Sequence, residues 1–159
     1  MTGRSIAAGC LLAALVGLAF AVLVVSVAGV RQTTAALRQA RVSVSQADTV
    51  EGLVLDAEAG QRDFLITGQD QFLQQWELSR KDFPGQAREL LRFSISPSQR
   101  LLAQQISQGG ESYFRDYSVP LVDAARRGDS WPRSVAAMTE GKRRGHALRA
   151  QFRRYDAAG

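Results

Sequence analysis

Twenty-five consecutive residues, Ile6 to Val30, carry no charged side chain, and nothing else in the chain restricts its fold as strongly. At about 1.5 Å of rise per residue, a helix of that length spans roughly 37 Å, more than the ~30 Å hydrocarbon core of a bilayer. The expectation is a transmembrane helix. A secretory signal has an apolar stretch of only about 7–15 residues, so the segment reads as an uncleaved signal anchor. Ser26-Val27-Ala28 supplies a small-residue site, and cleavage after Ala28, releasing a secreted bundle, is the competing reading. Cys10 opens the apolar run and reads as a lipid-facing thiol. Gly9, Ala13, Gly17 and Ala21 recur every four residues, a face of small side chains on which two membrane helices can pack as a homodimer.

The rest of the chain, Arg31 to Gly159, has 129 residues with 19 basic and 15 acidic side chains. That is enough for one small core and too little for most two-domain enzymes. The expected division is therefore 1–30, a short cytoplasmic tail and anchor, and 31–159, one folded domain. Arg4 and the terminal amine precede the apolar run, while Arg31, Arg38 and Arg41 follow it. Taken alone, that count would keep the large part in the cytoplasm by a small margin.

The pattern beyond residue 30 is helical throughout. Leu37, Ala40, Val44 and Ala47 step by three and four, and Val50, Leu53, Ala57, Gly60 and Phe64 continue on a shifted face. The first helix is expected to run out of the membrane unbroken to about Ile66, where Thr67-Gly68 ends it. A second helix carries Phe72, Trp76, Ser79, Phe83, Ala87 and Leu90, with Pro84 predicting a kink or short break near Phe83. Ser94 to Ser96 makes a turn, with Ser96 as N-cap and Pro97 at the first helical position. Leu102, Ile106, Gly109, Tyr113, Tyr117 and Pro120 mark a third helix, closed by Gly128-Asp129-Ser130. Pro132 is expected to start the fourth, along which Met138, Gly141, Gly145, Leu148, Phe152 and Tyr155 form the apolar face. The fold class expected is all-α, an N-terminal transmembrane helix continuing into an antiparallel four-helix bundle.

Chemistry is sparse. One cysteine and one histidine, His146, exclude a disulfide framework, a CxxC site and any multi-histidine metal site. Glu51, Asp56, Glu58 and Asp63 cluster on the first helix, but Glu58 and Arg62 stand four apart in the order that favours a surface ion pair. No catalytic residue, cofactor-binding residue or metal ligand is assigned, and the expectation is a protein that is not an enzyme and holds no cofactor. Arg143, Arg144, Arg149, Arg153 and Arg154 crowd the last helix. No stacking aromatics interleave with them, so a bilayer surface or plain solvation suits them better than nucleic acid. Phe72, Trp76, Phe83, Tyr113 and Tyr117 form an aromatic stripe that reads first as core, and second as the wall of a ligand pocket between helices two and three.

The run Asp56-Ala57-Glu58-Ala59-Gly60-Gln61-Arg62-Asp63-Phe64-Leu65-Ile66-Thr67-Gly68, followed by Phe72-Leu73 and Trp76, resembles the signature of the third type of CHASE domain, a bacterial extracellular sensory module. Members of that family show an acidic residue, Ala-Glu-Thr-Gly-Gln-Arg-Gly, an aromatic residue and Leu-Leu-Thr-Gly, then Phe-Leu and another aromatic. Here Ala59 replaces the usual Thr, Asp63 the usual Gly, and Trp76 the usual Tyr. Glu140-Gly141-Lys142 with Arg149 is similar to the family's last helix. The resemblance implies a four-helix bundle outside the cytoplasmic membrane between two membrane helices, signalling to a cytoplasmic module such as a histidine kinase. On that basis the bundle is placed on the extracytoplasmic side. The second membrane helix and the output module would follow Gly159 and are absent from this chain. The stimulus, a small molecule or a protein, and its binding residues are unassigned. The alternative is a stand-alone single-span protein whose helices bind and regulate another membrane protein.

Overall fold

The structure, a computed structural model, describes residues 41–158. The expected membrane anchor, the boundary at residue 30 and the first helical positions, Leu37 and Ala40, lie outside the described residues. Among the described residues, no helix is long and apolar enough to cross a membrane.

Those residues are helical, with no strand among them. Helix α1 covers 41–67, and a 3-10 turn, Asp70–Phe72, leads into α2, Leu73–Phe93. Helix α3, Pro97–Tyr113, passes through a π-helical turn, Phe114–Ser118, into α4, Val119–Arg126. A second 3-10 turn, Trp131–Arg133, precedes α5, Val135–Ala157. Asp56 meets Gln75 while Gln46 meets Gln86, so α1 and α2 run in opposite directions. The same reversal relates α2 to the α3–α4 arm (Phe83 against Gly110, Trp76 against Ser118) and that arm to α5 (Ser112 with Arg144, Tyr117 with Ala137). Ser43 beside Tyr155 and Glu58 beside Arg149 close the circuit between α5 and α1. The result is an antiparallel helical bundle.

Local chemistry sets the turns where the sequence puts them. The Gly68 N–H donates to Phe64 O at 2.7 Å with φ at 71°, a left-handed C-terminal stop that glycine adopts without strain. Ser96 Oγ accepts from the Gln99 N–H at 3.1 Å, and the Gln99 side chain reaches back to the backbone, a complete capping box with Pro97 inside it. Pro132 does not start the last helix. It sits in the short turn before it, and α5 begins after Ser134, whose Oγ accepts from the Ala137 N–H at 3.2 Å.

Two prolines behave differently from expectation. Pro84 leaves α2 unbroken; it and Arg80, whose carbonyl loses its donor, are both exposed, where that carbonyl is open to solvent. Pro120 is exposed and not on the apolar face. A proline ring collides with the carbonyl four residues earlier, and here the π turn opens the helix just before it. The extra residue in that turn brings Tyr113, Phe114, Tyr117 and Ser118 all inward.

The buried face of α1 reads Ser43, Ala47, Val50, Val54, Ala57, Gln61, Phe64, alternating steps of four and three. Ala47, Val50, Ala57, Gly60 and Phe64 are buried as the apolar pattern expects, whereas Val44 is 39% exposed and Leu53 only partly buried, with Ser43 and Val54 buried beside them. Serine and glutamine occupy buried positions because each is hydrogen-bonded there. Tyr155 lies 2.7 Å from Ser43 Oγ and 3.0 Å from Ser94 Oγ, and Ser94 donates to Leu90 O at 2.8 Å. Every hydrogen is used only if Ser43 donates to Tyr155 and Tyr155 to Ser94. Nearby, burial pushes the Asp156 carboxyl up, with Asp48 adding to it. Burial and then Asp156 do the same to Glu51.

Close helix approach is concentrated at a few glycines. A Cβ on Gly60 would stand 2.5 Å from Phe72 O and 3.4 Å from Trp76 N, and one on Gly110 would enter the Phe83 ring. Gly60→Ala is expected to cost about 1–3 kcal/mol by overpacking. Gly52→Ala and Gly85→Ala, helical positions with no atom within 4 Å, should each stabilise by about 0.5–1 kcal/mol. Urea melts of the three variants check the contrast, and a stabilising Gly60→Ala would disprove the α1–α2 contact. A raised carboxyl pKa means the folded state holds its proton more tightly than the unfolded one. Its destabilising effect is present above the folded pKa and fades as the pH falls through it. Asp156→Asn should therefore raise the melting temperature at neutral pH, by an amount that shrinks as the pH is lowered.

Candidate functional site

A cavity of about 670 Å³ opens in the half of the bundle near the 127–134 connection, within the size range of small-molecule sites. Helix α1 contributes Glu58, Gln61, Arg62, Leu65 and Ile66, and α5 contributes Met138, Gly141, Lys142 and Arg149. Tyr113, the last residue of α3, and Tyr117, inside the π turn, form the third wall, and Pro132 with Arg133 closes one end. Two glycines of α5 let side chains from the facing walls come close to its backbone. A Cβ on Gly141 would strike the Tyr117 hydroxyl, and one on Gly145 the Glu58 carboxylate.

Behind the tyrosines lies a buried polar relay. Trp76 Nε1 donates to Ser118 Oγ at 2.7 Å, and Ser118 Oγ donates to Gln61 Oε1. It joins α2, the π turn and α1 across the core. Tyr117 donates to Ala137 O at 3.0 Å, fixing its ring beside α5, and the Arg144 guanidinium lies 5.9 Å from that ring's centre. Burial pushes both phenols up, Tyr113 furthest with Glu58 adding to it, so both stay neutral hydrogen-bonding groups. Arg133 Nε donates to Leu65 O at 2.8 Å, holding the connection over α1.

The acidic residues of α1 do not converge. Asp56 accepts from Gln75 Nε2 at 3.1 Å, Asp63 lies 3.7 Å from Arg62, and Glu51 lies towards Asp156 and Asp48. The expected Glu58–Arg62 pair is not formed. Glu58 turns to α5, where Arg149 Nη1 donates to its Oε2 at 2.9 Å, with side chains only 24% and 27% exposed. The gap that Gly145 leaves admits the carboxylate, whereas Arg62 stays in solvent. The basic run of α5 is partly used in ion pairs along the same helix. Arg143 and Arg144 both bond Glu140, holding its carboxyl down at about 2, first through Arg143.

The aromatic stripe divides. Tyr113 and Tyr117 line the cavity, while Trp76 and Phe83 are core and Phe72 is half-buried. The cavity is therefore bounded by α1, the third arm and α5, and α2, which the stripe alone indicated, supplies none of its lining. Met138, placed by periodicity on the apolar face, is 56% exposed at the cavity, and Ala137 takes the buried position. Two glycines four apart inside α5, in a chain where helical glycine costs about 1 kcal/mol against alanine, were the available signal. Among the described residues, no three His, Cys, Asp or Glu side chains are grouped as a metal site requires.

A family model described as the CHASE3 domain matches residues 33–158. No curated protein and no solved structure matches the chain.

The Glu58–Arg149 pair links the first and last helices at the cavity wall. Three-quarters buried, it should be worth more than a surface ion pair, about 1 kcal/mol or somewhat above. A double-mutant cycle with Glu58→Gln and Arg149→Gln, read by chemical denaturation, is expected to return a coupling energy of that size. Zero coupling would show that the two side chains do not meet in solution.

Proposed function

The chain belongs to the CHASE3 domain family, sensory domains of the extracellular type found in signalling receptors, and from that premise we propose that it is the input half of a transmembrane receptor. In this reading Ile6–Val30 anchors the chain in the cytoplasmic membrane, single-pass within these residues and paired as a homodimer. The bundle lies on the extracytoplasmic side, and a cytoplasmic output module such as a histidine kinase receives the signal. The chain acts by binding and by helix displacement, not by catalysis, and it takes no cofactor and no nucleic acid.

The observation that carries the reading is the shared wall of the cavity. Helix α1 follows the uncharged stretch in sequence, α5 is the last helix, and the cavity is bounded by both. A ligand that favours one packing of α1 on α5 over another shifts the population of the two, which is all that a transmembrane signal requires. A second reading, an anchored protein that binds another membrane protein, draws on the exposed Ile66, Trp131, Val135 and Met138 near the same end.

Alkaline phosphatase fused after Gly159 and expressed in a bacterial host is expected to be active and to stay in the membrane after an alkaline carbonate wash. A β-galactosidase fusion at the same point should be inactive. Active galactosidase with silent phosphatase would put the bundle in the cytoplasm and sink the proposal. Release of the phosphatase into the medium would select the secreted bundle instead.

A further inference from the structure

We propose that the cavity between α1, the π turn and α5 binds an apolar carboxylate, a small molecule with one carboxylate on an aromatic or branched hydrocarbon body; that this ligand is the stimulus rests on the sensory reading above. Four cationic side chains line the cavity, Arg62, Arg133, Lys142 and Arg149, against one carboxylate, Glu58, which Arg149 already engages. Among the described residues Lys142 has no carboxylate within ion-pair distance, and the one nearest Arg62, Asp63, is 3.7 Å away in solvent. The surplus charge calls for an anion, and a guanidinium matches a carboxylate in shape as well as sign.

The remaining surface excludes a polar body. Leu65, Ile66, Pro132 and Met138 supply hydrocarbon, and the two tyrosine rings supply flat faces. Tyr117 already spends its hydrogen on Ala137 O. A sugar would leave its hydroxyls unmatched against these walls, at the usual cost of burying an unpaired polar group, and a free phosphate would pair with the cations but leave the hydrocarbon and the tyrosine faces uncovered. A hydrocarbon body avoids that cost, and its burial adds to the ion pairing.

Glu58 makes the site self-regulating. Its charge repels an incoming anion, and it competes with that anion for Arg149. Binding therefore weakens the bond between α1 and α5, so occupancy and helix contact are opposed. Glu58→Gln keeps the shape and an acceptor for Arg149 while removing the repulsion, so it should tighten the anion and leave a neutral analogue unchanged.

The test uses the full 159-residue chain in lipid nanodiscs, titrated calorimetrically with phenylacetate, 4-phenylbutyrate and 1-naphthoate, each beside its primary amide, with empty nanodiscs as the blank. At least one acid is expected to bind saturably at one per chain, with its amide at least ten-fold weaker. Arg62→Glu with Lys142→Glu, both at exposed positions, should weaken that acid at least ten-fold with helicity and melting unchanged. Glu58→Gln should tighten it at least about three-fold. Absence of saturable binding by all three acids, parity of acid and amide, or indifference to the double charge reversal would each overturn the proposal. The sensory reading is judged separately. Absent binding beside an active phosphatase fusion removes the site and keeps the receptor, while binding beside a silent fusion keeps the site and removes the receptor.

Discussion

Helix α1 is held by buried hydrogen bonds at two levels, and the rest of the bundle is organised around that restraint. Ser43 bonds Tyr155 at one end, while Gln61 accepts from Ser118, itself bonded to Trp76, near the other. A buried polar group stripped of its partner costs about 1–3 kcal/mol, about twice the net value of the bond it makes. Rotating α1, or sliding it by one helical turn of about 5.4 Å, would strip both groups at once. The polar positions thus fix the register that an all-apolar face would leave loose. Gly60, in contact with the α2 backbone, adds a steric stop between them.

The upper restraint exists only because the third arm contains a π turn. With regular α geometry through residues 114–118, Pro120 would drive its ring into the carbonyl of Asp116, and Ser118 could not share the inner face with both Tyr113 and Tyr117. One inserted residue resolves the clash and delivers a hydroxyl to Trp76 and Gln61. The same insertion sets the two tyrosines as the cavity floor. Register of α1 and shape of the cavity are therefore consequences of one local event in the third arm.

What was legible in the sequence is what local rules decide. Helix limits at Thr67-Gly68 and Ser96-Pro97 follow from a few neighbouring residues and their conformational preferences. Most of the apolar faces of α1 and α5 were legible as well, but single positions were misread where burial follows pairing and not apolarity. Ser43 and Gln61 are inside since partners dozens of residues away satisfy them, while Val44 and Met138 are left outside. Glu58 shows the same limit. Its spacing favours Arg62, yet a gap at Gly145, 87 positions further on, gives it Arg149 instead. The cavity was invisible for a similar reason, since its walls come from three segments far apart in the sequence.

The seam between α1 and α5 is strong and weak in different places, and that inequality is what lets a small event matter. Near Ser43 the hydroxyl chain ties the two helices, but Asp48 and Glu51 on α1 stand close enough to Asp156 on α5 to disfavour their shared charge. Near the cavity the tie is one ion pair, partly open to water. Residues 43 and 58 are about 22 Å apart along a continuous helix, so movement at one level is carried to the other by the rigidity of α1 itself. A ten-fold change in the balance of two packings needs only about 1.4 kcal/mol of differential binding. Exchange of one carboxylate for another on Arg149 lies within that range, whereas breaking either buried relay does not. The part of the seam able to respond is therefore the part that lines the cavity.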